Sequence, residues 1–186
     1  MAISSVVFGA VYLGAVYAGG AITAALTPVG YGTLGYEPLY GVFFMAAIFV
    51  SYIVRKPGIG IIAELLASVI EVLMGNYFGP SVIINGLLQG AACELPFLVT
   101  HYKKWNFKTT VSSAVCVSVV VYLYDFIHDS YYLMGGKLIA MGIAIRIVSS
   151  VIFTGIIAKL LADALNKAGV LRGYRISGNL GDLYEE

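Results

Sequence analysis

Residues 37–54, EPLYGVFFMAAIFVSYIV, and residues 57–75, PGIGIIAELLASVIEVLMG, form two long apolar runs separated only by Arg55 and Lys56. A membrane-spanning helix needs about 20 mostly apolar residues, because each residue rises only about 1.5 Å across a hydrocarbon core of about 30 Å. Both runs approach that length, and Pro57 suits the first turn of a helix. This stretch therefore predicts two membrane helices joined by a short basic turn.

Four further runs of the same kind extend the pattern over the rest of the chain. Their length and their lack of alternation exclude the strands of a small β-barrel. Of the 186 residues, 60% are hydrophobic and 11% are charged, against roughly 25% charged in soluble domains. Lipid must therefore be the solvent for most of the surface, and we predict an all-α integral protein of the cell membrane with six transmembrane helices. The four additional runs are residues 2–26, 80–100, 109–128 and 138–162.

The basic residues fall mainly on one side of this six-helix arrangement. The positive-inside rule assigns that side, and with it both termini, to the cytoplasm. We predict one transmembrane domain over residues 1–172 and a polar cytoplasmic tail over residues 173–186. The net charge of +1 provides no basic field for a nucleic-acid partner. The residues on the basic side, nine of the eleven Lys and Arg, are Arg55, Lys56, Lys103, Lys104, Lys108, Lys159, Lys167, Arg172 and Arg175.

Two glutamates in the third helix are candidate binding residues. An ionised side chain at the bilayer centre costs about 3 kcal/mol, so it persists only with a partner, a wet cavity or a changed protonation state. Glu64 and Glu71 are seven residues apart, which places both on one helix face about 10 Å apart along the axis. We interpret this face as the lining of a polar pocket. The structural alternative is that each carboxylate only bonds to a neighbouring helix.

The fourth helix adds amide and acidic candidates. Asn85 and Gln89 are four residues apart and share a face, whereas Glu94 points elsewhere on an ideal helix unless Gly90 and Pro96 distort it. Hydrogen bonding between helices and ligand binding are equally compatible with the amide pair.

The fifth and sixth helices complete the predicted set. Tyr122 and Asp125 share a face near the outer end of helix five, and both are predicted to bind ligand. Arg146 lies inside helix six, where we expect it to pair with one of the glutamates, since a buried arginine almost always has a carboxylate partner. His128 and Asp129 are too few and too loosely spaced to predict a metal site. The outer half combines acids with many tyrosines, which suits a small organic cation.

The first helix carries no charge, and Ala10, Gly14 and Ala18 form a stripe of small residues at four-residue spacing. Such stripes let helix backbones approach closely in lipid. The stripe could pack within this chain or dock another membrane subunit. The sequence contains no GxxxxGK[ST] motif, so the chain itself does not bind ATP in a P-loop, and it contains neither HExxH nor GxSxG.

Several short segments, taken together, carry a family resemblance. They are Arg55-Lys56-Pro57-Gly58, Ala63-Glu64-Leu65-Leu66-Ala67 with Glu71, Leu87-Leu88-Gln89-Gly90 with Glu94-Leu95, Tyr124-Asp125, and Leu160-Leu161-Ala162-Asp163-Ala164 with Gly169-Val170-Leu171. The combination resembles the YkoE-like proteins, which are substrate-binding S components of energy-coupling factor (ECF) transporters, a prokaryotic branch of the ABC transporters. The resemblance covers residues 2–172 and implies a six-helix S-component fold. It also implies thiamine or its hydroxymethylpyrimidine (HMP) precursor as substrate, and a role for the helix-one stripe in meeting a transmembrane coupling subunit.

The resulting hypothesis is a membrane-embedded subunit that captures thiamine or HMP from outside for ATP-driven uptake. The chain itself needs no cofactor, because cytoplasmic ATPase subunits would use the ATP. One alternative is an S component for another small vitamin-like metabolite. Others are a small membrane enzyme using Glu64, Glu71 or Glu94 with His128 as acid and base, and an assembly protein whose polar residues only join helices.

Overall fold

The structure is a computed structural model that describes residues 2–177, and within that range it contains no β-strand. Eight α-helices, α1 to α8, follow one another along the chain, with short 3₁₀ turns between several of them. A π-helical segment joins α7 to α8. The helices are α1 Ala2–Leu26, α2 Tyr40–Phe43, α3 Met45–Val54, α4 Ile59–Leu73, α5 Ser81–Val99, α6 Phe107–His128, α7 Gly136–Ser150 and α8 Ala158–Lys167, and the π segment is Val151–Ile157.

Six apolar helical units build the bundle, as the sequence predicts. Five of them are long and apolar enough to cross a membrane. The remaining unit is α4, whose 15 residues make a helix about 22 Å long that packs against α1, α3 and α5. The all-helical membrane fold is thereby confirmed, while the cytoplasmic location of the termini stays a prediction. The five long spans are Ile3–Val29, Gly32–Val54, Ser81–Val99, Phe107–His128 and Gly136–Lys167.

The second transmembrane unit is broken, which the sequence did not predict. α2 ends before Phe44, whose backbone (φ −105°, ψ 0°) departs from helical geometry, and α3 begins directly after it. The break frees backbone N–H groups that a continuous helix would use internally. The N–H of Ala46 donates to the Tyr12 hydroxyl at 2.9 Å, and the N–H of Ala47 donates to Glu64 Oε2 at 2.8 Å. Side chains from α1 and α4 therefore accept hydrogen bonds from the free backbone N–H groups at the start of α3.

The sixth unit is longer than the predicted residues 138–162 and contains the π segment, a feature often found at functional sites. Hydrogen bonds join this sixth unit to the start of the second unit. Ser149 Oγ donates to the Pro38 carbonyl at 2.6 Å, and Thr154 Oγ1 donates to the Gly41 carbonyl at 2.5 Å. A Cβ at Gly41 would lie 2.3 Å from the Ser149 carbonyl oxygen, so only glycine permits this approach.

Close packing of α4 on α5 turns the polar face of α4 inward. A Cβ at Gly86 would lie 2.0 Å from Ser68 Oγ, and one at Gly90 would lie 2.6 Å from the Ile61 Cα. Glycines at such spacing let two helices approach through their backbones. The acids of α4 are consequently buried in the bundle.

The predicted tail begins against the body of the protein. Residues Arg175–Ser177 form a 3₁₀ turn in which Ile176 is buried, and Arg175 Nη1 donates to the Arg55 carbonyl at 3.3 Å. The domain boundary at residue 172 stays a prediction, and residues 178–186 of the predicted tail lie outside the described residues.

Candidate ligand site

The two ends of the bundle differ in the loops that they carry. We name the end formed by residues 27–39, 74–80 and 129–135 the loop-1 end, and the end formed by residues 55–58 and 100–106 the basic end. The polar residues predicted from the sequence do not form one cluster, because they are divided between these ends and the middle of the bundle.

Arg146 lies at the centre of a buried group of charges near the loop-1 end. Its Nε and Nη2 atoms donate to the two carboxylate oxygens of Glu37, at 2.6 and 2.9 Å. Its Nη1 atom donates to Asp125 Oδ2 at 2.6 Å. The exposed fractions of the three residues are 0% for Arg146, 1% for Glu37 and 3% for Asp125. This group spans three parts of the chain, since Glu37 precedes α2, Asp125 lies in the last turn of α6 and Arg146 lies in α7.

Two tyrosines enclose the guanidinium group. The Arg146 Cζ atom lies 3.4 Å from the centre of the Tyr40 ring and 4.7 Å from the centre of the Tyr122 ring. Stacking of this kind adds cation–π attraction to the ion pairs. The Tyr40 hydroxyl also donates to Asp125 Oδ2 at 2.9 Å. We call Glu37, Tyr40, Tyr122, Asp125 and Arg146 the arginine cluster.

Tyr131, in the loop that follows α6, covers this cluster. Its ring meets the Tyr122 ring edge-on, with 5.7 Å between the ring centres. Burial, and next the negative charge of Glu37, raise the pKa of Tyr131 above its usual value. The Tyr131 hydroxyl, like that of an ordinary tyrosine, is neutral at physiological pH.

The arginine cluster bears on two predictions. Arg146 pairs with carboxylates, as expected of a buried arginine, but its glutamate partner is Glu37 rather than Glu64, Glu71 or Glu94. Tyr122 and Asp125 lie together beside it, as their shared helix face predicts. Glu37 was absent from the predicted ligand-binding set. Its position directly before Pro38 and a long apolar run was the available signal, because an acid at the edge of a membrane span lies within reach of a buried cation.

The two acids of α4 face the interior, as their spacing predicts, but they bond to different partners. Glu64 is fully buried, and its Oε1 atom has no hydrogen-bond partner among the described residues. Glu71 is 2% exposed and accepts a hydrogen bond from Asn76 Nδ2 at 2.5 Å. Glu71 thus organises the α4–α5 loop, whereas Glu64 satisfies the start of α3. Their role in ligand binding stays a prediction.

Glu94 lies at the basic end and acts as a cap for α4. Its carboxylate accepts hydrogen bonds from the N–H groups of Gly58 and Gly60, at 2.8 and 2.7 Å. It also accepts one from the Tyr102 hydroxyl at 2.8 Å. Burial and this hydrogen bond raise the pKa of Tyr102 to about 12. Three hydrogen-bond donors already occupy the Glu94 carboxylate. The contact of Glu94 with a ligand stays a prediction, and its position at the basic end does not favour it.

The amides of α5 lie between these regions. Ser113 Oγ donates to the Cys93 carbonyl and so marks the level at which α5 and α6 meet. Gln89 and Asn85 are one and two turns, about 6 and 12 Å, nearer the loop-1 end. Gln89 is 8% exposed, and Asn85 Oδ1 is enclosed without a partner among the described residues. Both amides therefore retain hydrogen-bonding capacity.

The small-residue stripe on α1 faces away from the bundle. Ala10, Gly14 and Ala18 are all exposed, and a Cβ at Gly14 would meet no atom within 4 Å. Gly9 faces the opposite way, since a Cβ there would lie 2.7 Å from Ile70 Cγ2. Packing within the described part of the chain thus leaves the stripe uncovered.

Residues 2–177 contain no group of three or more His, Cys, Asp or Glu residues that could hold a metal ion. Two open grooves, of about 380 and 290 Å³, lie on other surfaces, and none of the predicted ligand-binding residues lines either of them. The arginine cluster is a concentration of buried charge near the loop-1 end.

Known proteins share both the sequence and the fold. A family model described as "ABC-type cobalt transport system, permease component" matches residues 1–120. The chain is 31% identical over 180 residues to a protein of Bacillus subtilis (strain 168) named an HMP/thiamine permease protein, YkoE; the match covers 97% of this chain and 88% of that protein. A solved structure described as "Crystal structure of an S-component of ECF transporter" matches with a TM-score of 0.90 and 30% identity, over 98% of this chain and 90% of that one.

These relatives indicate a multi-pass transport protein of the cell membrane and exclude the enzyme alternative. The S-component fold expected from the sequence motifs is also confirmed. The chain belongs to the YkoE-like S components of ECF transporters.

Proposed function

We propose that this S component captures thiamine or its HMP precursor from outside the cell, for ATP-driven uptake together with partner subunits. The observation that carries the proposal is the arginine cluster, in which two buried carboxylates and two aromatic rings lie together near the loop-1 end. The Bacillus subtilis relative carries both ligands in its name.

The chemistry of these ligands fits the groups that the bundle provides. Thiamine combines a thiazolium cation with an aminopyrimidine. Carboxylates and tyrosine rings attract the cation, and amide side chains can pair with the donors and acceptors of the pyrimidine. Asp125 and Tyr122 supply the first kind of group, and Asn85 and Gln89 the second. A pocket that joins them would extend from the end of α6 to the middle of α5.

Transport also requires an orientation and partners. The proposal places the loop-1 end outside and the basic end in the cytoplasm, in accord with the positive-inside rule. A transmembrane coupling subunit would dock on the exposed stripe of Ala10, Gly14 and Ala18, and cytoplasmic ATPase subunits would hydrolyse the ATP.

Ligand-dependent thermal unfolding of the detergent-purified protein tests the proposed substrate. We expect thiamine or HMP to raise Tm in a saturable manner, because a ligand at 100 times its Kd stabilises the folded state by about 2.7 kcal/mol. Mass spectrometry of ligand retained through purification provides an independent identification. A rise in Tm with Co²⁺ but with neither thiamine nor HMP would contradict the proposal. The absence of any rise in Tm with both vitamin compounds would contradict it as well.

The docking stripe yields a matched pair of variants on one helix. Gly14→Leu is expected to leave thermal unfolding and ligand binding unchanged while it abolishes copurification with the coupling subunit, since the new side chain projects from the exposed face. Gly9→Leu is expected to cost about 1–3 kcal/mol of stability, because its Cβ would lie 2.9 Å from the Ala67 carbonyl oxygen. Full complex formation by Gly14→Leu would show that the coupling subunit binds elsewhere.

A further inference from the structure

In the arginine cluster, the acidic groups outnumber the basic groups by one. Glu37 and Asp125 face a single guanidinium group. Glu37 receives two hydrogen bonds from it in a bidentate arrangement, which is the strongest geometry available to a carboxylate and an arginine. With both acids ionised, Glu37 and Arg146 neutralise one another, and the cluster retains one negative charge on Asp125.

Asp125 is the incompletely satisfied member. Its Oδ2 atom accepts from both Arg146 and the Tyr40 hydroxyl, whereas its Oδ1 atom accepts no hydrogen bond from any described residue. The residue is only 3% exposed, and Oδ1 is not among the fully enclosed unpartnered atoms, so this oxygen keeps only a small contact with solvent. An unbalanced charge in such a place is unfavourable until a cation approaches it.

A purely structural lock would not need this second acid. The bidentate pair of Arg146 and Glu37 already joins α7 to the start of α2 and leaves no net charge. Adding Asp125 gives one further ion pair but also leaves one oxygen of a buried carboxylate without a partner. The excess charge therefore requires another explanation, and a cationic ligand provides one.

We propose that Asp125 Oδ1 binds a ligand with a single positive charge, while Arg146 and Glu37 form a neutral support that holds Asp125 in place. The inference rests on the proposed function and narrows it, since thiamine carries such a charge and HMP does not. The Tyr122 ring packs against Arg146, and the centre of the Tyr131 ring lies 5.7 Å from that of Tyr122. These two rings provide aromatic surface for a heterocyclic cation.

Asp125→Asn distinguishes a ligand-binding role from a structural role, because the two roles predict different changes in the Tm of the ligand-free protein and in thiamine affinity. It removes the excess charge and keeps the Glu37–Arg146 pair, so the ligand-free protein is expected to unfold at the same temperature or higher. Thiamine affinity is expected to fall about ten- to hundredfold, as for loss of a charge-assisted contact, and HMP affinity by less than about threefold. Thermal unfolding and calorimetry in detergent measure these quantities. A destabilised ligand-free protein with unchanged thiamine affinity would overturn the inference.

Glu71→Gln tests the competing assignment, because Glu71 is another nearly buried carboxylate at the loop-1 end and belongs to the predicted ligand-binding set. If Asp125 alone recognises the charge, this variant changes thiamine affinity by less than about threefold, which is well below the effect of one charge-assisted contact. Loss of thiamine binding in Glu71→Gln but not in Asp125→Asn would assign the charge recognition to α4 and overturn the inference.

Tyr40→Phe provides a second test that does not depend on the folding of Asp125→Asn. It keeps the ring over Arg146 and removes only the hydroxyl that donates to Asp125. Without this hydrogen bond, the negative charge of Asp125 is less compensated and should attract a cation more strongly. The ratio of thiamine affinity to HMP affinity should therefore rise about two- to tenfold, the effect of one hydrogen bond. An unchanged or lower ratio would contradict the inference.

The wild-type protein distinguishes failure of the inference from failure of the proposed function. Binding of thiamine by the wild type with no effect of Asp125→Asn or Tyr40→Phe leaves the function standing and removes the inference. Binding of HMP without thiamine has the same consequence. Binding of neither compound by the wild type contradicts the proposed function itself.

Discussion

Replacement of Arg146 by glutamine is expected to lower the free energy of unfolding by about 3–5 kcal/mol, the usual cost of leaving buried charges without their partner. Arg146 is fully buried and satisfies Glu37 twice and Asp125 once. Glutamine cannot supply three such hydrogen bonds or any charge, so two carboxylates would remain in a medium of low polarity. Unfolding of the detergent-purified variant, followed by circular dichroism, measures the loss.

Two further variants serve as controls for this experiment. Lys137→Gln removes an exposed cation at the start of α7 and is expected to change stability by less than about 0.5 kcal/mol. The double variant Arg146→Gln with Glu37→Gln returns the cluster to its wild-type net charge of one negative and is expected to recover part of the loss, because the two side chains belong to one network. A single Arg146→Gln variant as stable as wild type would show that the cluster is already neutral without the guanidinium.

Replacement of Glu94 by glutamine is expected to cost about 3 kcal/mol, because hydrogen bonds to a charged acceptor are worth about 1.5–3 kcal/mol each and Glu94 accepts three. Glutamine retains one acceptor oxygen and turns an N–H₂ group toward the N–H donors of Gly58 and Gly60. The start of α4 should therefore fray, which amide hydrogen exchange at residues 58–62 would detect together with the lower Tm.

Tyr102→Phe is the graded control for the Glu94 variant, since it removes only one of the three donors and is expected to cost about 1.5 kcal/mol. The pKa of Tyr102 is raised to about 12, above the ordinary tyrosine value of about 10. The contribution of its hydroxyl is thus fully present below about pH 10 and is lost as pH rises toward 12. The stability difference between Tyr102→Phe and wild type should accordingly be constant between pH 6 and 9. If the Glu94→Gln variant were at least as stable as the Tyr102→Phe variant, α4 would need no acidic cap.

Helix positions were predictable because lipid imposes a simple requirement on the chain. Each span must be long, apolar and satisfied within its own backbone, and these demands are visible in any window of about 20 residues. The predicted runs at 2–26, 80–100 and 109–128 agree within two residues with α1, α5 and α6. Local exceptions escaped prediction, since the break at Phe44 and the π segment at Val151–Ile157 depend on partners from other helices.

The candidate site was predictable in composition but only partly in arrangement. Helical spacing correctly placed Glu64 and Glu71 on one buried face and brought Tyr122 together with Asp125. Spacing could not reveal that Glu94 caps α4 at the basic end, because its donors lie 34 and 36 residues earlier in the chain. The predicted set therefore combined residues from two ends of the bundle.

The sequence by itself determined the membrane as solvent, the six helical units, the exposed polar loops and the family, because each depends on composition or on neighbours within a few turns. Only the tertiary structure decided which buried acid meets Arg146, since Glu37 lies 109 residues away and Asp125 lies 21 residues away. Within lipid a buried charge must find its partner wherever packing brings one close. The excess charge at Asp125, on which ligand selection is proposed to depend, is a property of that packing and of no single segment.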